Sequence, residues 1–193
     1  LKTFNNFCRY IGIASLSKES LSNLFSHSRT QFNHINKIIN TINNNFEAQI
    51  FLSEKLGQNC FGYVSDAERK LLTDSVVKVT DNSSNAIDDA AGAFESFLRR
   101  IGKDRKTDCE KSNGIDELGQ CLGSKTNQVI LPEHRKMCNF IGTFRNPAVH
   151  KVHKTELEHW KIETDSAMEI ILLILTCMMS IYSCVYEKKR LLL

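Results

Sequence analysis

An uncharged apolar run of 16 residues, Ile170 to Val185, limits the folds of this chain more than any other feature. A membrane-spanning helix needs about 20 such residues, and extending the run backward soon reaches Glu169 and Asp165. The basic residues 188–190 would suit a cytoplasmic flank. A helix that is apolar on all sides is also typical of the centre of a bundle or of a dimer seam. Because other predicted helices can cover the run, we expect a buried core or dimer helix.

The composition favours a globular all-α protein. Of 193 residues only 2 are Pro and 9 are Gly, and 41% are hydrophobic against 24% charged, as in folded domains. Alternating β-branched patterns are scarce, so helices are expected throughout. The net charge of +3 is too small for a protein that wraps nucleic acid, so an RNA site must come from local placement of cations.

The 7 cysteines show no CxxC pair and no regular spacing. Their odd number and the lack of a recognisable signal peptide favour a reducing, cytoplasmic environment over a disulfide scaffold. Cys138, Cys177 and Cys184 stand among apolar neighbours and are expected to be small core residues.

Helical spacing of apolar residues divides the chain into two parts. Residues 1–65 are expected to form an N-terminal helical extension, where a heptad-like stripe from Leu21 to Phe46 either pairs with a second chain or domain or folds into a hairpin. Residues 66–193 are expected to form a helical bundle after the capping box Ser65–Glu68. A loop is predicted at 57–63, and helices are predicted at 66–102 (interrupted at 81–85), 115–122, 132–146 and 156–188, the last opened by the capping box Thr155–Glu158.

The candidate catalytic residues lie in the segment from Phe140 to Lys151, which contains Arg145, Asn146, Pro147 and His150. On a straight helix positions 145 and 150 lie about 140° apart. We expect Pro147 to end the helix at Asn146 and bend the backbone, so that both side chains face one cleft. Arginine binds phosphate through two hydrogen bonds, and imidazole transfers protons near neutral pH. These side chains therefore suit cleavage of a phosphodiester without a metal.

The Arg-Asn-Pro-Ala-Val-His segment from Arg145 to His150 resembles the Arg-(polar)-x-x-x-His signature of HEPN domains, which are all-helical. The helix Asn85–Leu98, with its Glu-Ser-Phe-Leu segment, resembles the opening helix of the abortive-infection C-terminal type. The order and length of the following helices agree over residues 85–186. The chain is therefore identified as similar to an HEPN-like bundle with an N-terminal helical extension.

The resemblance implies a metal-independent RNA endonuclease of a prokaryotic defence or toxin type. Arg145 and His150 would be the catalytic pair, and Asn146 would support them. Two protomers would face each other so that both signatures line one cleft. An antitoxin or a regulatory domain would be a further partner. The alternative is a catalytically inactive HEPN module that binds nucleotide or a partner protein.

Charges around the signature favour RNA. Between Pro132 and Lys161 there are six Lys or Arg against three Glu, and four of the six His, including His134, fall there too. We expect Lys151, His153 and Lys154 to bind the RNA backbone. The pair of His150 and His153 lacks acidic or Cys partners at ligand spacing, so no metal site and no cofactor are predicted, and no motif specific for DNA is present.

Overall fold

The computed structural model describes residues 37–150 and 162–189; the side chains of Phe144 and of residues 146–150 lie outside that description. All regular secondary structure in the described residues is helical, which confirms the all-α prediction. Residues 37–41 are helical. Six longer helices follow: α1 (Asn45–Tyr63), α2 (Asp66–Lys78), α3 (Ser83–Asp104), α4 (Gly114–Leu122), α5 (Pro132–His150) and α6 (Thr164–Tyr186).

Helices α3 and α6 form the centre of the compact unit, which comprises residues 39–193. Helix α3 packs against α2, α4, α5 and α6, and its Phe94, Phe97 and Leu98 are fully buried. Helix α1 packs against α6 and α2 within this same unit. The boundary predicted at residue 65 stays a prediction, because most of the N-terminal part lies outside the described residues.

Helix α6 is the predicted apolar helix, and other helices of the same chain cover most of it. It is long and apolar enough to cross a membrane, but 61% of its most apolar window is buried inside the protein. Ile174, near its centre, is completely buried within the single chain. This agrees with the expected buried core helix, and the dimer stays a prediction. The helix also starts at Thr164, after non-helical residues 162–163, and not near Glu156.

Local sequence signals placed several helix ends correctly. The Ser65 hydroxyl accepts the Glu68 N–H at 3.3 Å, and Glu68 accepts the Ser65 N–H at 2.9 Å, which confirms the capping box at the start of α2. The predicted interruption at 81–85 is also confirmed, because α2 ends at Lys78 and the side chain of Asn82 caps α3. Pro132 opens α5 as expected.

Three helix boundaries in the structure differ from the predicted ones. The stripe up to Phe46 is not one helix, because Asn44 caps a new helix there and Phe46 is exposed. The loop predicted at 57–63 is helical, with a kink at Gly57, whose φ of 69° suits glycine. Helix α5 continues through Pro147 to His150 instead of ending at Asn146. Proline removes only one backbone donor, and the rest of a long packed helix can offset that cost.

The cysteines depart from the prediction in two places. Cys138 and Cys177 are fully buried as expected, whereas Cys184, also predicted in the core, is partly exposed. Cys109 and Cys121 form a disulfide, with 5.8 Å between their Cα atoms. Spacing along the sequence did not reveal this pair, because the loop between α3 and α4 brings the two residues together.

Candidate active site

Arg145, the first residue of the signature, lies between α5 and α3. Its Nε donates a hydrogen bond to Oδ1 of Asp88 at 3.2 Å, and a terminal guanidinium nitrogen donates to Oε2 of Glu95. Both acceptors stand on α3, seven residues and therefore about two turns apart, so they share one face of that helix. The side chain of Arg145 is 31% exposed, which leaves part of its guanidinium open to solvent.

Glu95 connects Arg145 to a second arginine. Its Oε1 accepts a hydrogen bond from Arg99 at 2.7 Å, while its Oε2 accepts from Arg145. Burial raises the pKa of Glu95, but the hydrogen bonds and charges of Arg99 and Arg145 outweigh burial, so that the pKa lies below its usual value. Glu95 is therefore ionised at neutral pH and holds two guanidinium groups in place.

The charge of Arg145 is stable in this environment. Burial alone would lower the pKa of its guanidinium, but hydrogen bonds and charges from Glu95 and Asp88 raise it above the usual value. Together with Arg99, the cluster contains two cations and two carboxylates, and its formal charges sum to zero. An incoming phosphate must therefore compete with Asp88 and Glu95 for the hydrogen-bond donors of Arg145.

Helix α5 is held in position by close packing on α4. A Cβ placed on Gly119 would lie 2.4 Å from Cβ of Cys138, so only glycine permits this approach of the two helices. Further along, Nδ2 of Asn139 donates to Oδ1 of Asp116 at 3.0 Å. These contacts run along α5 toward Arg145 and fix the side of the helix that faces α3.

The remaining predicted site residues lie wholly or partly outside the described part of the chain. The side chains of Asn146 and His150 lie outside the described residues, as do Lys151, His153 and Lys154 altogether. The backbone is informative, because α5 is helical through residue 150. On a regular helix positions 145 and 150 lie about 140° apart. The expected end of the helix at Asn146 is wrong, and the shared cleft stays a prediction.

His134 does not belong to the predicted surface of cations and imidazoles. It is 1% exposed; its Nδ1 accepts the Leu131 N–H at 3.3 Å, and its Nε2 lies 2.9 Å from Oγ of Ser180. Because Nδ1 is an acceptor, Nε2 carries the proton and donates it to Ser180. Burial lowers the pKa of His134, so this imidazole is neutral and joins α5 to α6.

Sequence reasoning missed the acidic partners of Arg145. Asp88 and Glu95 lie 57 and 50 residues away from it along the chain, and their types alone look like ordinary solvated charges. A helical Glu–Arg pair four residues apart, Glu95 and Arg99, was the one local signal available. It predicts an ion pair on the helix surface but not a second arginine from α5.

Comparison with family models finds no match for this chain. Comparisons with curated proteins and with solved structures find none either. The functional argument therefore depends on the residues themselves.

Proposed function

We propose that this chain is a metal-independent endoribonuclease of a prokaryotic defence or toxin type, with an HEPN-like site built from Arg145, Asn146 and His150. One observation carries the proposal: Arg145 is anchored by two carboxylates of α3 while 31% of its side chain remains open to solvent. A guanidinium held in this way loses little further freedom when it binds a phosphate. An arginine that served only solubility would not need partners from another helix.

The proposed reaction is attack of the RNA 2′-hydroxyl on the adjacent phosphorus. His150 accepts the hydroxyl proton, the new O–P bond forms, and the bond from phosphorus to the 5′-oxygen breaks. The leaving oxygen takes up a proton, which leaves a 2′,3′-cyclic phosphate and a free 5′-hydroxyl. Arg145 stabilises the negative charge of the pentacovalent phosphate, and Asn146 orients one of these groups.

A homodimer is the arrangement that best supplies both groups to one phosphate. Because positions 145 and 150 of α5 lie about 140° apart on a regular helix, Arg145 of one protomer and His150 of another can meet more readily than the two in one chain. Lys151, His153 and Lys154 then bind the flanking RNA backbone as sequence-independent cations. Such a dimer does not need the buried positions of α6.

A second candidate is a binding module of the same fold that lacks turnover. The observation that favours it is the neutral charge balance at Arg145, where Asp88 and Glu95 occupy the donors that a phosphate would need. In this case Arg145 holds α5 against α3 and the signature binds nucleotide or protein without cleavage. The two candidates differ in whether RNA is cut when it is bound.

The deciding experiment compares Arg145→Ala, Arg145→Lys and His150→Ala with Lys136→Ala, an exposed cation on the same helix. Incubation with RNA in EDTA should give cyclic-phosphate ends for the unmodified protein and for Lys136→Ala. Each site variant should cut at least about 100-fold more slowly, because the general base or the phosphate-stabilising group is missing. Arg145→Lys should not restore the rate, because lysine cannot bridge both carboxylates and phosphate in the same geometry.

Stability is measured in parallel, because Arg145 also has a structural role. Arg145→Ala should cost about 1–2 kcal/mol, since Glu95 keeps its bond to Arg99. Full cleavage by His150→Ala, or cleavage that requires added Mg²⁺, would rule out the ribonuclease proposal. Tight binding of a 2′-deoxy-substituted RNA without any cleavage of the all-ribose strand would favour the binding module.

A further inference from the structure

The disulfide between Cys109 and Cys121 ties one exposed loop to one short helix. Cys109 lies in the loop of residues 105–113 between α3 and α4, and Cys121 lies in the last turn of α4. The separation of 12 residues means that the bond closes a small ring, and none of the residues in that ring belongs to α3 or α6. A bond in such a place can open without disturbing the packing of the central helices.

Four other cysteines in the described part of the chain form no disulfide. Cys60, Cys138 and Cys177 are buried, and burial raises the pKa of the Cys60 thiol to about 12. A hydrogen bond with Cys138, together with burial, also raises the pKa of Cys177. Buried thiols of this kind react slowly with oxidants and other thiols. Among the described cysteines only Cys109 and Cys121 form a disulfide, unlike the full pairing of a disulfide scaffold.

The bond also closes one wall of a cavity. A cavity of about 270 Å³ is lined by Arg99, Gly102 and Lys103 of α3 and by Thr107, Cys109 and Glu110 of the loop. Apart from the disulfide, this part of the loop is held to α3 mainly by Thr107, whose N–H and hydroxyl both donate to the Gly102 carbonyl, at 2.9 and 3.0 Å. Opening the bond would leave the loop with these two hydrogen bonds, with Nδ2 of Asn127 donating to Sγ of Cys109 at 3.6 Å, and with the Asn113 N–H donating to Oε2 of Glu117 on α4 at 2.7 Å.

We propose that the Cys109–Cys121 disulfide is a reversible redox switch, opened by a low-molecular-weight thiol of the glutathione class, that loosens residues 107–112 of the loop between α3 and α4 and opens the cavity beside Arg99. Two features select this bond for exchange. Cys121 is partly exposed, which gives a thiolate access to its sulfur. The cavity meets the bond at Cys109 and leaves room for that sulfur to depart.

Glutathione reduces the disulfide in two thiol–disulfide exchange steps. A glutathione thiolate attacks Sγ of Cys121, the S–S bond breaks, and its electron pair leaves on Sγ of Cys109, which takes up a proton. A second glutathione thiolate attacks the mixed disulfide and releases Cys121 as a thiol with glutathione disulfide as product. The protein gains two electrons and two protons, and two glutathione molecules are oxidised to one disulfide.

The test uses the folded protein in reduced or oxidised glutathione, with two readouts that do not depend on RNA cleavage. Native alkylation followed by mass spectrometry should label Cys109 and Cys121 only after reduction, and should leave Cys138 and Cys177 unlabelled in both states. A short trypsin pulse should cut after Lys111 about tenfold faster in the reduced protein, because the loop opens more often. Returning the protein to oxidised glutathione should reverse both changes.

Two single variants complete the experiment. Cys109→Ser in oxidised glutathione should reproduce the trypsin sensitivity of the reduced protein. Cys184→Ser, which changes a partly exposed cysteine outside the disulfide, should leave the redox response unchanged. The proposal is overturned by a bond that persists in excess reduced glutathione, by a pair that never forms in oxidised glutathione, or by unchanged trypsin cleavage after reduction. Reduction that exposes Cys138 and Cys177 to alkylation would equally overturn it, because the bond would then hold the whole fold.

Discussion

Replacement of the buried carboxylate Glu68 by glutamine should destabilise the fold by a calculable amount. Glu68 is 1% exposed and stands at the start of α2. Its oxygens accept hydrogen bonds from the Ser65 N–H and the Ser96 hydroxyl, each at 2.9 Å, and from the guanidinium of Arg100. It thus joins α2 to α3 through an ion pair in the interior. Glutamine keeps the shape of the side chain but removes its charge and one acceptor atom.

The expected loss of unfolding free energy depends on the contacts that Arg100 keeps after the substitution. Breaking a buried ion pair by removing one partner costs about 3–5 kcal/mol when the remaining charge is isolated. Arg100 is not isolated, because its side chain is 26% exposed, it donates to the Tyr63 carbonyl, and its guanidinium lies 4.1 Å from the centre of the Tyr63 ring. These contacts place the expected loss of unfolding free energy at about 2–3 kcal/mol. For a unit of this size that corresponds to a Tm lower by roughly 4–12 °C.

Thermal and urea unfolding of Glu68→Gln provide the measurement, with Glu47→Gln as the matched control. Glu47 occupies the same position in the first turn of α1 and accepts the Asn43 N–H at 2.7 Å, but this contact is exposed and no arginine of the described residues joins it. The control should lose less than about 1 kcal/mol, as is usual for surface contacts. Equal losses in the two variants would refute the reasoning, because burial and the Arg100 ion pair would then contribute nothing.

Two further predictions concern packing and pH. Gly119→Ala should destabilise the protein by about 1–3 kcal/mol, because the new Cβ would lie 2.4 Å from Cβ of Cys138. The control Gly92→Ala should be neutral or stabilising, because its Cβ would meet its nearest neighbour at an ordinary 4.0 Å. The reverse order of stability in urea unfolding would contradict this packing. Burial lowers the pKa of His134 in the folded state. The unfolded chain therefore binds a proton first as pH falls below about 6.5, and stability should decrease from there through the folded pKa. His134→Gln should show a shallower decrease between pH 7 and 5, and parallel stability curves would argue against a buried neutral imidazole.

The predicted helix starts show how much of this fold is local. Ser65 and Glu68 form a capping box from four consecutive residues, and Pro132 opens α5 where a missing N–H costs nothing. The breaks were less predictable. Gly57 kinks α1 without ending it, and α5 passes through Pro147, because packing against other helices offsets a local penalty that would end an isolated helix.

The candidate site could likewise be predicted only in part from local sequence. Arg145 could be selected from the sequence, since a permanent cation in a short signature with His150 has a recognisable chemistry. Its partners could not be selected, because Asp88 and Glu95 come from a helix more than 40 residues earlier and have no local feature that marks them. His134 shows the opposite error: counted among surface imidazoles, it is buried against Ser180.

The sequence by itself determined the helical class, most of the helix starts and the apolar identity of α6, because these depend on spacing and capping within a few residues. Only the tertiary structure decided which charges pair and which cysteines bond. The ion pairs of Arg145 with Glu95 and of Arg100 with Glu68 join residues 50 and 32 positions apart. Pairing of this kind depends on how helices pack in three dimensions, and a linear pattern carries no direct record of that packing.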